Sequence, residues 1–234
     1  MTEHQITQNI ATVRQQIAQS CAQYQRKPDS VTLLAVSKTK PAEAVREACL
    51  AGQREFGENY LQEALEKQQT LSDLDISWHF IGPIQSNKTK AITENFHWVH
   101  SVDRLKIAQR LNDQRPEGLP ALNICLQINI SEETSKSGIS LEELPKIAEQ
   151  ISQMPNLCLR GLMAIPAPAE SFEQQRIPFA KLNQALKQLQ TLYSDIDTLS
   201  IGMSGDMDAA IAEGSTMVRI GTAIFGARDY SNRA

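Results

Sequence analysis

The stretch VTLLAVSKTKPAEAVREACLAG, residues 31–52, changes its periodicity part-way through. VTLLAVSK is a short apolar run with β-branched residues, which suit a pleated strand. Pro41 then opens a helical segment, PAEAVREACLAG, that Gly52 closes; proline in the first turn and glycine just past the last are the usual helix punctuation. The unit is strand then helix. It recurs along the chain, with further strands expected at Glu55 to Asn59, Ser77 to Gly82, Trp98 to Asp103, Leu122 to Ile130, Leu159 to Ile165, Thr198 to Ser204 and Met217 to Gly226. Helical stretches are expected to begin near Tyr60, Asn87, Arg104, Leu141, Phe172 and Asp206. Eight such units predict an α/β fold of TIM type, a closed parallel (β/α)8 barrel. An open doubly wound sheet is the alternative, but it would ordinarily carry a Gly-rich turn after its first strand, where this chain has Ser37-Lys38-Thr39-Lys40-Pro41.

Outside the barrel segment, 31–226, the chain begins with an extra amphipathic helix within residues 1–27. Its apolar face is Ile6, Ile10, Val13, Ile17 and Cys21, at spacings of four, three, four and four. No linker divides the 234 residues, so residues 1–234 are expected to form a single domain. With 41% apolar and 21% charged residues the composition excludes collagen, coiled coil and wholesale disorder. A net charge of −4 without a basic block argues against nucleic-acid or membrane partners. The polar start lacks the apolar core of a secretory signal. Cys21, Cys49, Cys125 and Cys158 contain no C-x-x-C pair, so a reduced, cytoplasmic protein with no metal site is expected.

In a barrel of this kind, chemistry sits at the carboxyl ends of the strands. The first strand runs into Lys38. A lysine carried into a barrel mouth is disfavoured as the charged form and becomes a Schiff-base nucleophile; a lysine that merely flanks a strand reaches solvent, and Lys40 competes for either role. After the eighth strand begins, Gly221-Thr222-Ala223 offers backbone N–H groups and a hydroxyl where phosphate is often held, and Ser204 beside Gly202 and Gly205 offers another donor. The same glycines also suit tight turns and close packing. Arg219 shares a strand face with Gly221 and aims either at a ligand over that cup or into a structural ion pair. His79 reads as a satisfied core histidine, Met203, Met207 and Met217 as core filling, and Asp206 and Asp208 as helix-start residues.

Taken with their spacing, LLAVSKTKP (33–41), FGENYLQE (56–63), WHFIGPIQSNK (78–88), QINISEETSKSG (127–138), RGLMAIP (160–166), LSIGMSGDMDAAI (199–211) and VRIGTAIFG (218–226) resemble the pyridoxal phosphate homeostasis protein family over nearly the whole chain. That family consists of single-domain proteins whose barrel is similar to the N-terminal domain of bacterial alanine racemase and of eukaryotic ornithine decarboxylase. The resemblance implies that Lys38 holds pyridoxal 5′-phosphate covalently as an aldimine. It also implies that Ser204, Gly221 and Thr222 surround the phosphate, Arg219 faces the pyridine nitrogen, and Asn59 and Met203 lie beside the cofactor. Gly205 stands where many relatives carry a side chain and should loosen the loop next to Ser204. Lys136 either neutralises incoming phosphate or is a solvated loop lysine.

The implied function is a cofactor-binding regulator of intracellular pyridoxal phosphate homeostasis that influences amino-acid and keto-acid metabolism, a monomer whose recipients would be apo-enzymes using the same cofactor. An enzyme is the competing class: a racemase or decarboxylase on this cofactor, or a Schiff-base aldolase. No amino-acid turnover is expected, for two reasons. A permanently cationic Arg219 beside the pyridine nitrogen would oppose its protonation and weaken the electron sink. The eight units also run to Gly226, which leaves no room for the extra domain that supplies a second acid/base in the related racemases.

Overall fold

The computed structural model describes residues 5–131 and 137–227. Eight parallel strands close into a barrel in chain order, each followed by a helix on the outside. The units are β1 (Thr32–Val36) with α2 (Ala42–Leu50), β2 (Glu55–Glu58) with α3 (Leu61–Thr70), β3 (Ser77–Phe80) with α4 (Thr89–Asn95), and β4 (Trp98–Val102) with α5 (Leu105–Gln114). The second half continues with β5 (Leu122–Gln127) and α6 (Leu144–Ser152), β6 (Leu157–Met163) and α7 (Phe172–Gln190), β7 (Thr198–Ser200) and α8 (Met207–Ala212), and β8 (Met217–Ile220) and α9 (Thr222–Phe225). Closure is made by β1 against β8, with Leu33 opposite Val218 and Leu34 opposite Arg219. The barrel and its strand order are as the sequence predicts.

The leading helix α1 (Gln5–Gln23) buries all five residues of its apolar stripe. It packs against α2, α8 and α9, across the seam where the barrel closes. At roughly 1.5–3 kcal/mol for each fully buried apolar side chain, the stripe contributes on the order of 10 kcal/mol before the entropy of ordering the helix is subtracted.

Apolar packing falls into two unequal clusters. The large one fills the layer between sheet and helices and includes Phe56, Phe179, Leu199 and Phe225. The small one holds only Leu34, Val36, Ile81 and Met217. Strand alternation thus sends Leu34 and Val36 away from the helix layer, and they share the barrel interior with buried polar residues, His79, His100, Ser200 and Arg219.

Several expected strands overrun the observed ones at the carboxyl end. β1 stops at Val36, so Lys38 lies in the following turn rather than on the strand. β7 stops at Ser200 because Gly202 takes φ +98, and Ser204 sits in a turn beyond it. β8 ends at Ile220; Thr222–Phe225, included in the expected strand, wind into α9, whose Ile224 and Phe225 are buried. β5 ends at Gln127, where Ile128 leaves the sheet to bridge Ile139, and β6 begins two residues early at Leu157. Apolar character does not separate a strand from a buried turn just beyond it.

Candidate functional site

Five of the seven expected site residues lie on the loops after four strands that are neighbours around the barrel, β7, β8, β1 and β2; Thr222 opens α9 directly after β8, and Arg219 lies within β8 just below them. Lys38 stands between Ser37, which is fully buried, and Thr39, whose backbone is left-handed at φ +63. A non-glycine residue in that region costs roughly 1–2 kcal/mol, and hydrogen bonds hold it there. The Ser37 N–H donates to the Gly57 carbonyl at 3.0 Å, and the Thr39 N–H donates to Glu63 Oε1 at 2.6 Å. Beneath the turn, Lys67 Nζ donates to the Ser37 carbonyl at 2.7 Å, Glu58 Oε1 at 2.7 Å and Glu63 Oε1 at 2.6 Å, while Ser37 Oγ donates to Glu58 Oε1 at 2.6 Å. Burial pushes the Glu58 carboxyl above the usual carboxylate range, and Lys67 pulls against that shift. This ion cluster fixes the loop that presents Lys38, which is itself half-buried. Sequence reasoning missed the cluster, since Glu63 and Lys67 look like an ordinary exposed i,i+4 pair.

Asn59 comes directly after β2. Its Oδ1 is buried and has no hydrogen-bond partner, a state that costs free energy unless a ligand or water completes it. Its backbone is fixed by the close approach of Gly82, where a Cβ would stand 2.2 Å from the Asn59 carbonyl oxygen. Asn59 also lines a cavity of about 420 Å³, together with Ile81, Pro83, Asp103, Gln127, Asn129 and Ile165, over the ends of β2 to β6. A smaller hollow of about 230 Å³ lies on the β6 and β7 side, lined by Pro166, Ala167, Pro168, Met203, Gly205 and Asp206.

On the opposite rim, Gly221 packs tightly against β1, with a Cβ placed there only 3.1 Å from the Val36 carbonyl oxygen. Thr222 and Ala223 open the first turn of α9, so their N–H groups have no acceptor within that helix, and both residues are exposed. Ser204 is exposed on the neighbouring loop, which is pinned by the Met203 N–H donating to Asp206 Oδ1 at 2.6 Å. Met203 is 40% exposed, so it is not the core residue that its type suggested; Met217 is buried and Met207 half-buried. Asp208 accepts from Ser20 and Tyr24 and ties α1 to α8. No group of three or more potential metal ligands exists among the described residues. Lys136 lies outside the described residues.

Arg219 settles one of the alternatives left open by the sequence. Among the described residues it makes no ion pair. Its Nη1 donates to the Ser200 carbonyl at 2.5 Å and to Ser200 Oγ at 2.9 Å, and its Nη2 donates to the Ala164 carbonyl at 3.1 Å. Burial lowers its pKa to about 10, which leaves it cationic at neutral pH, and Asp206 favours the charge only from a distance. A buried cation supported by neutral acceptors is a group expected to meet something electron-rich.

The family whose sequence model matches residues 4–229 is described as alanine racemase, N-terminal domain. A solved alanine racemase from Corynebacterium glutamicum shares that barrel, with TM-score 0.69 at 15% identity over 98% of this chain and 62% of its own. The class is therefore the alanine racemase-type barrel. Within it, the chain is 62% identical over 225 residues to the pyridoxal phosphate homeostasis protein of Pseudomonas aeruginosa, covering 96% of both chains. It is also similar to PipY of Synechococcus elongatus, solved with PLP bound, with TM-score 0.82 and 38% identity over 94% of this chain and all of that one. The chain belongs to the pyridoxal phosphate homeostasis protein family.

Proposed function

We propose that this chain acts as one barrel domain that binds pyridoxal 5′-phosphate and takes part in its intracellular homeostasis, as a carrier without amino-acid turnover of its own. The observation that carries the reading is Arg219, a buried guanidinium with no carboxylate partner among the described residues, set below the rim where Gly221, Thr222 and Ser204 gather. The orphaned Asn59 Oδ1 on the other side supports it, since a bound group would complete that atom. The name of the Pseudomonas relative and the PLP in PipY agree with the same ligand.

In this reading Ser204 and Thr222 donate hydroxyl hydrogen bonds to phosphate, together with the N–H groups of Thr222 and Ala223. Gly221 keeps the rim bare enough for close approach. Asn59 and Met203 border the ring. When bound, the cofactor would supply an aldehyde for a primary amine, and Lys38, on the turn held by the Lys67 cluster, would be that amine. Arg219 can only donate hydrogen bonds, so it stabilises a ring nitrogen that keeps its lone pair and opposes protonation there. An unprotonated nitrogen is a poorer electron sink, which favours holding the cofactor over turning substrates over. We place the protein in the cytoplasm as a monomer, with apo-enzymes that use this cofactor as its recipients; no helix among the described residues is long and apolar enough to cross a membrane.

The test is a titration of the purified protein with pyridoxal 5′-phosphate and with pyridoxal, followed by incubation of the loaded protein with L-alanine and other amino acids. The expected result is much tighter binding of the phosphorylated form and neither racemisation nor CO₂ release. Turnover above about 1 s⁻¹, the low end for ordinary enzymes, would make the protein an enzyme instead.

A further inference from the structure

A line of hydrogen bonds crosses the barrel interior beneath Arg219. Glu55 Oε2 lies 2.5 Å from His79 Nε2, His79 Nδ1 lies 2.8 Å from His100 Nε2, and His100 Nδ1 lies 2.8 Å from Ser200 Oγ. Ser200 Oγ in turn accepts from Arg219 Nη1. The line joins β2, β3, β4, β7 and β8, and only its Glu55 end is part-exposed, at 33% of the side chain. His79 and His100 are both wholly buried.

Both ends of this line have fixed roles. Arg219 can only donate, and an ionised Glu55 can only accept. A neutral imidazole carries one proton, so a single arrangement satisfies every member. Ser200 accepts from Arg219 and donates to His100 Nδ1. His100 donates through Nε2 to His79 Nδ1, and His79 donates through Nε2 to Glu55. Ser77 Oγ, 3.3 Å from His79 Nε2, is the only other hydroxyl in hydrogen-bond reach of the two rings among the described residues. Burial opposes protonation of both rings, most strongly at His100, so the neutral assignment holds.

We propose that His79 and His100 are positioning residues for Arg219: the line from Glu55 orients the Ser200 hydroxyl so that its oxygen is always open to the guanidinium, which fixes the direction in which Arg219 meets the ring nitrogen of the bound cofactor. This rests on the reading that pyridoxal 5′-phosphate sits over Arg219. If His100 carried its proton on Nδ1, Ser200 would have to accept from it, and the hydroxyl hydrogen would be left without an acceptor on the line. The energetic consequence falls on the ring-nitrogen end of the ligand, because in that reading the phosphate and aldehyde meet Ser204, Thr222 and Lys38, none of which is a member of the line.

Two measurements test it. In the cofactor-free protein, ¹⁵N NMR of the imidazoles should place the proton of both His79 and His100 on Nε2; a proton on Nδ1 of His100 would overturn the proposal whether or not the cofactor reading holds. Affinities should then be compared for pyridoxal 5′-phosphate and its 1-deaza analogue, which has carbon in place of the ring nitrogen. The native protein should prefer the natural cofactor by about tenfold, the worth of a hydrogen bond to a charged group. His100→Phe and Ser200→Ala should shrink that preference towards one while leaving the analogue's affinity unchanged, and Ser200→Thr, which keeps a hydroxyl, should restore it. Equal weakening of both ligands, or an undiminished preference, would make the line merely structural. Failure of the native protein to bind either ligand would instead sink the proposed function, leaving the NMR result to judge the line by itself.

Discussion

Lys67 and Arg219 are both buried cations, and the molecule treats them in opposite ways. Under the β1–β2 side, Lys67 is enclosed by two carboxylates and a carbonyl, with Glu58 and Glu63 both within 2.7 Å. In the barrel interior, Arg219 meets two carbonyls and a hydroxyl and has no carboxylate in contact among the described residues. A cation that its own fold neutralises is finished business and can only hold structure. One that its fold merely supports keeps a net charge for a visitor. The difference separates the Lys67 cluster, which sets the geometry of the Lys38 turn, from a cation that the proposed function turns towards the ligand.

The largest effect expected is on the first of these regions. Lys67→Met strands the wholly buried Glu58 without its cation and should cost about 3–5 kcal/mol in denaturant unfolding, the usual penalty for breaking a buried pair. Adding Glu58→Gln should recover much of it. Arg219→Met leaves only neutral acceptors behind and should cost less than half as much, while weakening cofactor binding. If the two single substitutions cost the same stability, the contrast drawn between them is wrong.

Acid should act mainly on the polar interior. His79 and His100 have folded-state pKa values below the ordinary 6.5 because burial disfavours their charge. A depressed histidine binds fewer protons folded than unfolded, so its contribution is present above about pH 6.5 and is lost as pH falls towards the folded value. Each of the two should steepen the loss by about 1.4 kcal/mol per pH unit while it stays neutral. Urea midpoints measured from pH 7 to pH 5 should therefore fall, and His100→Phe should flatten the decline. Glu58 has the opposite sign: its raised pKa means that the folded state gains a proton first as pH falls, which offsets part of the loss.

The rim should respond more modestly. Thr222→Val and Ser204→Ala each remove a hydroxyl offered to phosphate and should weaken pyridoxal 5′-phosphate by roughly 1.5–3 kcal/mol, about tenfold or more, with little change for pyridoxal. The smallest change is expected at Gly205. A Cβ there would meet nothing within 4 Å, and its φ is not among the positive ones. Gly205→Ala should therefore stabilise the protein by about 0.4–1 kcal/mol by restricting the unfolded chain, and a loss of stability would show that the loop needs glycine.

The barrel is legible in the sequence because strand and helix periodicities alternate regularly and punctuation by Pro41 and Gly52 survives in the structure. Gly52 indeed takes φ +86 at the end of α2. Strand ends are less legible, because Ile128, Ile130, Ile224 and Phe225 are apolar for packing reasons outside the sheet. Lys38, Ser204, Gly221 and Thr222 stand out as polar or glycine positions just beyond apolar strands, whereas Asn59 and Met203 come from resemblance alone. The Lys67 cluster and the His79–His100 line are invisible in the sequence, since each depends on side chains brought together from separate elements. His79 and Trp98 are register partners across β3 and β4, and His100 stands two residues further on, a relation that no local pattern contains.

The central claim is that Lys38 is the amine that carries the cofactor. The direct measurement is to load the protein with pyridoxal 5′-phosphate, reduce it with borohydride, digest it and locate the phosphopyridoxyl group by mass spectrometry. The account predicts the modification on Lys38 at full occupancy, and its disappearance from a folded Lys38→Ala protein. Full occupancy on Lys40 or Lys136, or an undiminished adduct in Lys38→Ala, would contradict it.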